Sequence, residues 1–273
     1  MKVPPPEMPG KWGDLSARVW SGLAMGVVGI GAILLGGVWF QMLVIFVTAV
    51  MVWECWIMIR GSSPVSGMLL AAGVASVMAA QVFGGPETRE FLPLFLVAPL
   101  VGILVLPRER LTFAVFALSI QVAGWWLAHV RLDYGVTWLL WLVGLVVVTD
   151  VAGYFAGKAL GGPRVWPRVS PKKTWSGTLA GWAASAVFGA GVAVWAGDAA
   201  GLGALAALSV LLSAASQAGD IAESAIKRRA GIKDSSALIP GHGGFLDRFD
   251  GMIGAALIVL LIGVVAGFPP GVS

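Results

Sequence analysis

The sequence predicts an all-α fold, a polytopic membrane helix bundle of about nine transmembrane helices with a cytoplasmic N-terminus and an outside C-terminus. Composition is the first observation behind it: of 273 residues 58% are apolar and only 12% charged, with a mean hydropathy of +0.88. A soluble domain carries about a quarter charged residues, so this chain has too few ionisable groups to cover a water-facing surface. The apolar residues also fall in runs close to the roughly 20 needed to cross about 30 Å of hydrocarbon. Finally, Lys and Arg are distributed asymmetrically between alternate connections.

The runs lie at 19–35, 38–59, 65–83, 91–106, 111–129, 136–157, 177–196, 201–226 and 251–268. Gly36-Gly37, Gly61-Ser62-Ser63-Pro64, Gly84-Gly85-Pro86 and Pro107-Arg108-Glu109-Arg110 separate several of them with turn formers or charges. Uniform apolarity, with no alternation, selects helices over barrel strands. With the N-terminus inside, inside connections hold three Lys/Arg before the first run, one after the second, two after the fourth and five in each of the two long later segments. That is 16 of the 18, leaving Arg89 and Arg131 outside. The whole of 1–273 reads as one integral membrane domain: 1–18 is a cytoplasmic N-terminal segment, and 150–250 carries the chemistry. No short isolated signal-peptide core precedes the array. Closely spaced glycines such as Gly22, Gly26 and Gly29 are read as helix-packing positions.

Disorder, a disulfide scaffold and nucleic-acid binding are excluded as main readings. Cys55 is the lone cysteine, inside an apolar run, and reads as a buried free thiol. One Cys and two His, His129 and His242, are too few soft ligands for zinc. Neither a P-loop lysine motif nor a G-x-S-x-G elbow occurs. His129, near Arg131 and Asp133, is interfacial.

Polar residues concentrate in two inside segments. One runs from Asp150 through Tyr154 and Lys158 to Ser170-Pro171-Lys172-Lys173-Thr174. The other runs from Asp220 through Ser224, Lys227, Arg228, Lys233 and Asp234 to His242-Gly243-Gly244 and Asp247-Arg248-Phe249-Asp250. Two apolar runs separate them, so both face the same side. Asp220, Glu223, Ser224 and Lys227 fall at i, i+3, i+4 and i+7, one helix face. A carboxylate at the end of a membrane span is costly unless it meets a partner, which makes Asp220 a functional candidate; snorkelling interfacial charge is the rival account. Asp247 and Asp250 repeat the i, i+3 spacing at a helix start, where capping competes as an explanation for Asp247.

Carboxylates from two segments suit a hard cation such as Mg²⁺, which takes oxygen ligands and keeps waters and substrate phosphates. Lys172, Lys173, Lys227, Arg228, Lys233 and Arg248 would neutralise phosphate oxygens. Glycine turns beside His242 let backbone N–H groups approach an anion. Orientation and anionic-lipid binding explain either basic loop alone but not the acids interleaved with the bases. The expectation is a cytoplasm-facing, metal-assisted polyphosphate site in which Asp220 and Asp247 meet around one cation.

The second segment resembles the signature of the phosphatidate cytidylyltransferases, or CDP-diacylglycerol synthases. Ser224, Lys227-Arg228, Lys233-Asp234, Ser236, Ile239-Pro240, His242-Gly243-Gly244, Asp247-Arg248 and Asp250 follow the family's spacing. Asp150, Tyr154, Ser170-Pro171 and Lys173-Thr174 resemble two further family elements, with Ala-Gly before Tyr154 in place of the usual order. Leu15, Arg18 and Ser21-Gly22 echo the family's N-terminal approach. The resemblance implies that phosphatidic acid attacks the α-phosphorus of CTP, giving CDP-diacylglycerol and pyrophosphate with Mg²⁺ required, in a bacterial cytoplasmic membrane. It implies catalytic roles for Asp220, Ser224, Lys227, Asp247, Arg248 and Asp250, with Asp220, Asp247 and Asp250 as metal ligands. Asp150, Tyr154, Ser170, Lys172, Lys173, Thr174, Arg228, Lys233, Asp234, His242, Gly243 and Gly244 would contact substrate. A homodimer is common among enzymes of this kind. The alternatives are a nucleotidyltransferase acting on an ether or isoprenoid lipid phosphate and, in another class, a membrane transporter. A transporter predicts charges spread through span centres, whereas these gather at one face.

Overall fold

Backbone in hydrocarbon has no water to hydrogen-bond, so long apolar stretches fold as helices that satisfy their own N–H and C=O groups. The computed structural model describes residues 11–61, 64–84, 92–197 and 201–267. Within them α1 spans Lys11–Leu35, α2 Gly37–Arg60, α3 Pro64–Phe83, α4 Val97–Val105, α5 Arg110–Asp133 and α6 Val136–Leu160. A hairpin follows, β1 Arg164–Trp166 and β2 Ser170–Thr174, and then α7 Trp175–Trp195, α8 Leu202–Ala230 and α9 Leu246–Ala266. Eight of these helices are long and apolar enough to cross a membrane. Residues 1–10, Ser62-Ser63, Gly85-Pro86 and Arg89, on which parts of the sequence reading fall, lie outside the described residues.

The fourth expected span is the exception. Over 91–106 the structure gives a 3₁₀ turn at 92–96 followed by only the nine residues of α4. Leu106 is extended because Pro107 disfavours the helical region for the residue before it. The Gln121 Nε2 donates to Phe95 O at 3.2 Å, tying the start of this stretch to the middle of α5. The helical stretch Leu92–Val105 is therefore shorter than the roughly 20 residues a full crossing needs.

The antiparallel hairpin was not expected from the apolar pattern. Gly161, Gly162 and Pro163 end α6, the two glycines at positive φ, and the strands pair Arg164 with Thr174 and Trp166 with Ser170. Thr174 then caps α7, its hydroxyl accepting from Gly177 N at 3.3 Å, while Trp175 N donates to Pro163 O at 2.9 Å. The hairpin is thus clamped between the end of one membrane helix and the start of the next.

Helices α6, α7, α8 and α9 pack in sequence along seams of small residues. A Cβ on Gly153 would lie 3.2 Å from Gly177 O, and one on Gly254 would lie 3.3 Å from Gly219 Cα. In lipid, where no solvent drives helices together, such close approach supplies the van der Waals contact. Three polar groups inside this layer pair with each other: Thr149 Oγ1 lies 2.8 Å from both Ser185 Oγ and Ser213 Oγ. Helix α2 is the most enclosed span, with 56% of its apolar window buried, against 11% for α1.

Long-range contacts gather several helix ends at one end of the bundle. His242 Nδ1 lies 2.8 Å from Ser21 Oγ of α1, Leu246 N donates to Glu54 of α2 at 2.6 Å, and Arg229 of α8 pairs with Glu109, just before α5, at 3.2 Å. Helix α9 runs from this end to the other.

Candidate active site

Helix α8 has 29 residues, and its last three turns carry Asp220, Glu223, Ser224 and Lys227 on one face, as the spacing predicted. It ends in Lys227, Arg228 and Arg229, cations where the helix dipole is negative, and closes on Gly231 in the left-handed conformation. Helix α9 starts at Leu246, five residues earlier than its apolar run, and so carries Asp247, Arg248 and Asp250 in its first turns.

Two adjacent polar constellations result. The first surrounds a hollow of about 450 Å³ between α6, β2, α7 and α8. Asp150, Tyr154, Ser170, Lys172, Lys173, Thr174 and Asp220 line it, as does Lys158. Lys173 Nζ donates to Asp220 Oδ2 at 2.8 Å and to Gln217 O at 3.2 Å, and Ser224 Oγ donates to Asp220 Oδ1 at 3.3 Å. The Asp220 side chain stays 40% exposed, so the pair is open to an incoming group. Asp150 and Asp250 both interact electrostatically with Asp220, and Arg248 with Asp150. One Asp250 oxygen accepts from Gly251 N at 2.7 Å.

The second constellation is closed. Lys227, with 10% of its side chain exposed, bridges Glu223 and Asp247, whose side chains are 0% and 5% exposed. Lys227 Nζ lies 2.6 Å from Asp247 Oδ1, and Asp247 Oδ2 accepts from Ser235 N, Ser235 Oγ and Gly244 N at 2.8, 2.9 and 2.8 Å. Both Asp247 oxygens are engaged, but by Lys227 and by the loop before α9 and not by the first N–H groups of its own helix, so the capping role weighed from sequence is not the one it takes. Asp220 faces the hollow while Asp247 lies in the closed network. Asp150 and Asp250 lie in electrostatic range of Asp220, while the Asp247 oxygens are held by Lys227, Ser235 and Gly244.

The remaining predicted residues divide between framework and surface. Arg248 donates through Nε and Nη2 to His242 O at 3.0 and 2.8 Å, and Arg228 donates to Val169 O and Ile232 O at 3.4 and 3.3 Å, joining α8 to the hairpin. Lys233 and Asp234 are exposed. Gly243 sits at φ +82°, a conformation open to glycine, and its carbonyl accepts from Ile239 N at 2.8 Å. The N–H of Gly244 is spent on Asp247, so it is not free for an anion.

Sequence reasoning passed over Glu54 and Ser235. Glu54 lies in α2, 0% exposed, and a lone carboxylate in an apolar span was the signal that could have found it. Ser235 had none, because its role comes from a loop whose path only the fold sets.

Oxygen-only carboxylates at Asp220, Asp250 and Asp150 suit a hard cation. Mg²⁺ needs only one or two protein carboxylates beside waters and substrate phosphates. Among the described residues no three His, Cys, Asp or Glu side chains are already gathered closely enough to hold a metal.

A helix bundle with acids and lysines collected around an open hollow at its end defines a polytopic membrane protein with a charged site. The chain belongs to the cytidylyltransferase family, whose model matches residues 16–265. It is similar to the phosphatidate cytidylyltransferase of Brucella suis, 48% identical over 136 residues that make up half of each chain. The Bacillus subtilis phosphatidate cytidylyltransferase is 28% identical over 88% of this chain and 94% of that protein. The Staphylococcus aureus one is 32% identical over 68% and 74%. The chain spans about half the length of the Brucella relatives it matches.

Proposed function

We propose that the chain transfers CMP from CTP to phosphatidic acid, forming CDP-diacylglycerol and pyrophosphate with Mg²⁺, in a bacterial inner membrane and at a site facing the cytoplasm. The open Lys173–Asp220 pair on the wall of the hollow is the observation that carries it. A phosphate entering the hollow competes for Lys173 and frees Asp220 oxygens. The names of the relatives and the spacing of residues 224–250 support the nucleotide and lipid assigned. The family's substrates give the reaction: a phosphatidate oxygen forms a bond to the α-phosphorus of CTP while the α–β bridging bond breaks and pyrophosphate leaves. The attacking oxygen is already anionic, so no covalent nucleophile or general base is required. Negative charge grows on the phosphoryl and leaving oxygens, and positioned cations are the effective response. Lys158, Lys172 and Lys173 hold the polyphosphate, and Tyr154, 61% exposed, borders its entrance. Asp220 and Asp250 would hold the magnesium, which would supply charge neutralisation at the transferring phosphoryl group. The basic residues gathered at this end support a cytoplasmic site, with the C-terminus of α9 outside.

The test is protein purified in detergent and incubated with labelled CTP, phosphatidate and Mg²⁺, with ATP, GTP and ether-lipid phosphates as competitors. The expected product is CDP-diacylglycerol, formed in preference to the other pairings. Formation of no nucleotide-linked lipid from any combination overturns the reading, and preference for an ether lipid reassigns the substrate.

A further inference from the structure

We propose that Glu54 is a positioning residue for this reaction, holding the start of α9 and the loop before it in the arrangement turnover needs. The inference rests on the transferase reading above. Glu54 belongs to α2, far in sequence from both polar segments, yet it is fully buried against them. Oε1 accepts from Ser236 Oγ at 2.6 Å and Phe245 N at 3.0 Å, and Oε2 accepts from Leu246 N at 2.6 Å and Ser235 Oγ at 3.3 Å. No cation is needed to explain this carboxylate: four donors, two of them backbone N–H groups at a helix start where the dipole is positive, satisfy it.

The arrangement solves a problem that α9 cannot solve alone. The N-cap position is Phe245, which has no side chain able to accept a hydrogen bond. Glu54 supplies that function from another helix, so the direction in which α9 leaves the loop is set by α2. Asp247, Arg248 and Asp250 lie within the next turns, and their placement follows. Ser235 Oγ carries the link onward, 3.3 Å from Glu54 and 2.9 Å from Asp247. Gly244 confirms how tightly the parts fit: a Cβ there would run into Glu54 and Ser235.

Because Glu54 does not line the hollow, its loss should slow turnover without weakening substrate binding. Glu54→Gln keeps the shape but replaces one acceptor oxygen with a donor. In the labelled-CTP assay, normalised to folded protein and run well below the unfolding midpoint, kcat should fall at least tenfold while KM for CTP and phosphatidate changes less than threefold. Ser236→Ala, which removes the 2.6 Å contact but leaves the carboxylate, should lower kcat in the same sense, and Ser236→Thr, which restores a hydroxyl, should recover it. Wild-type kcat in both Glu54→Gln and Ser236→Ala overturns the inference, as does an equal rise in KM with kcat unchanged. Should Glu54→Gln not fold, wild-type kcat in Ser236→Ala alone overturns it. An inactive wild-type protein would instead strike the transferase reading.

Discussion

Replacing Lys227 by Met separates the two constellations by their energetics. Lys227 lies between the 0% exposed Glu223 side chain and the 5% exposed Asp247 side chain. Methionine fills similar volume but leaves two carboxylates facing each other without their shared cation. Removing one partner of a buried ion pair costs about 3–5 kcal/mol, about two to four powers of ten in the unfolding constant. Lys173→Met is the control. Its pair with Asp220 is open, with side chains 17% and 40% exposed, and pairs of that kind contribute about 0–1 kcal/mol. Unfolding by SDS in mixed micelles, followed by the fluorescence of the 13 tryptophans, should show a large loss of stability for Lys227→Met and almost none for Lys173→Met. Activity should divide the other way: folded Lys173→Met should be inactive because Lys173 faces the hollow. Equal stabilities for the two variants would refute the division into a closed structural network and an open reactive one.

Two further outcomes are expected. Gly219→Ala places a methyl group against the Asp250 carbonyl across the α8–α9 seam; overpacking of this kind costs about 1–3 kcal/mol and should lower turnover by shifting Asp250 relative to Asp220, so wild-type stability and rate would show the seam to be loose. In a Cys55→Ser background, a membrane-impermeant maleimide applied to intact cells should label Asp133→Cys, at the far end of α5, and should reach Arg164→Cys on the hairpin only after permeabilisation; the reverse pattern would invert the proposed orientation.

Most of the bundle was legible because hydrocarbon leaves the backbone one local solution and apolar run length reports it directly. The polar face of α8 was legible for a similar reason: a 3.6-residue period is a local property. What escaped depended on chain paths. Nothing local in Arg164–Thr174 distinguishes a clamped hairpin from a basic loop. The shortness of α4 follows from Pro107 and from the Gln121 contact, of which only the first is visible in the sequence. Asp247 shows the limit most clearly. Its position at a helix start allowed both a cap and a ligand, and only the arrival of Lys227, Ser235 and Gly244 N–H decides how its oxygens are engaged. Glu54 acquires its meaning entirely from a loop nearly 200 positions later.

The length of α8 has a consequence for how a lipid and a water-soluble molecule can be joined at all. At 1.5 Å per residue its 29 residues reach about 44 Å, well beyond the roughly 30 Å of oily interior. In the proposed orientation that surplus, taken at the basic end, would set Asp220 and its neighbours towards the depth of the phospholipid headgroups. Under the proposed reaction, a lipid would then diffuse sideways to the protein and present its phosphate without being hoisted out of the leaflet, while the charged nucleotide would never have to leave water.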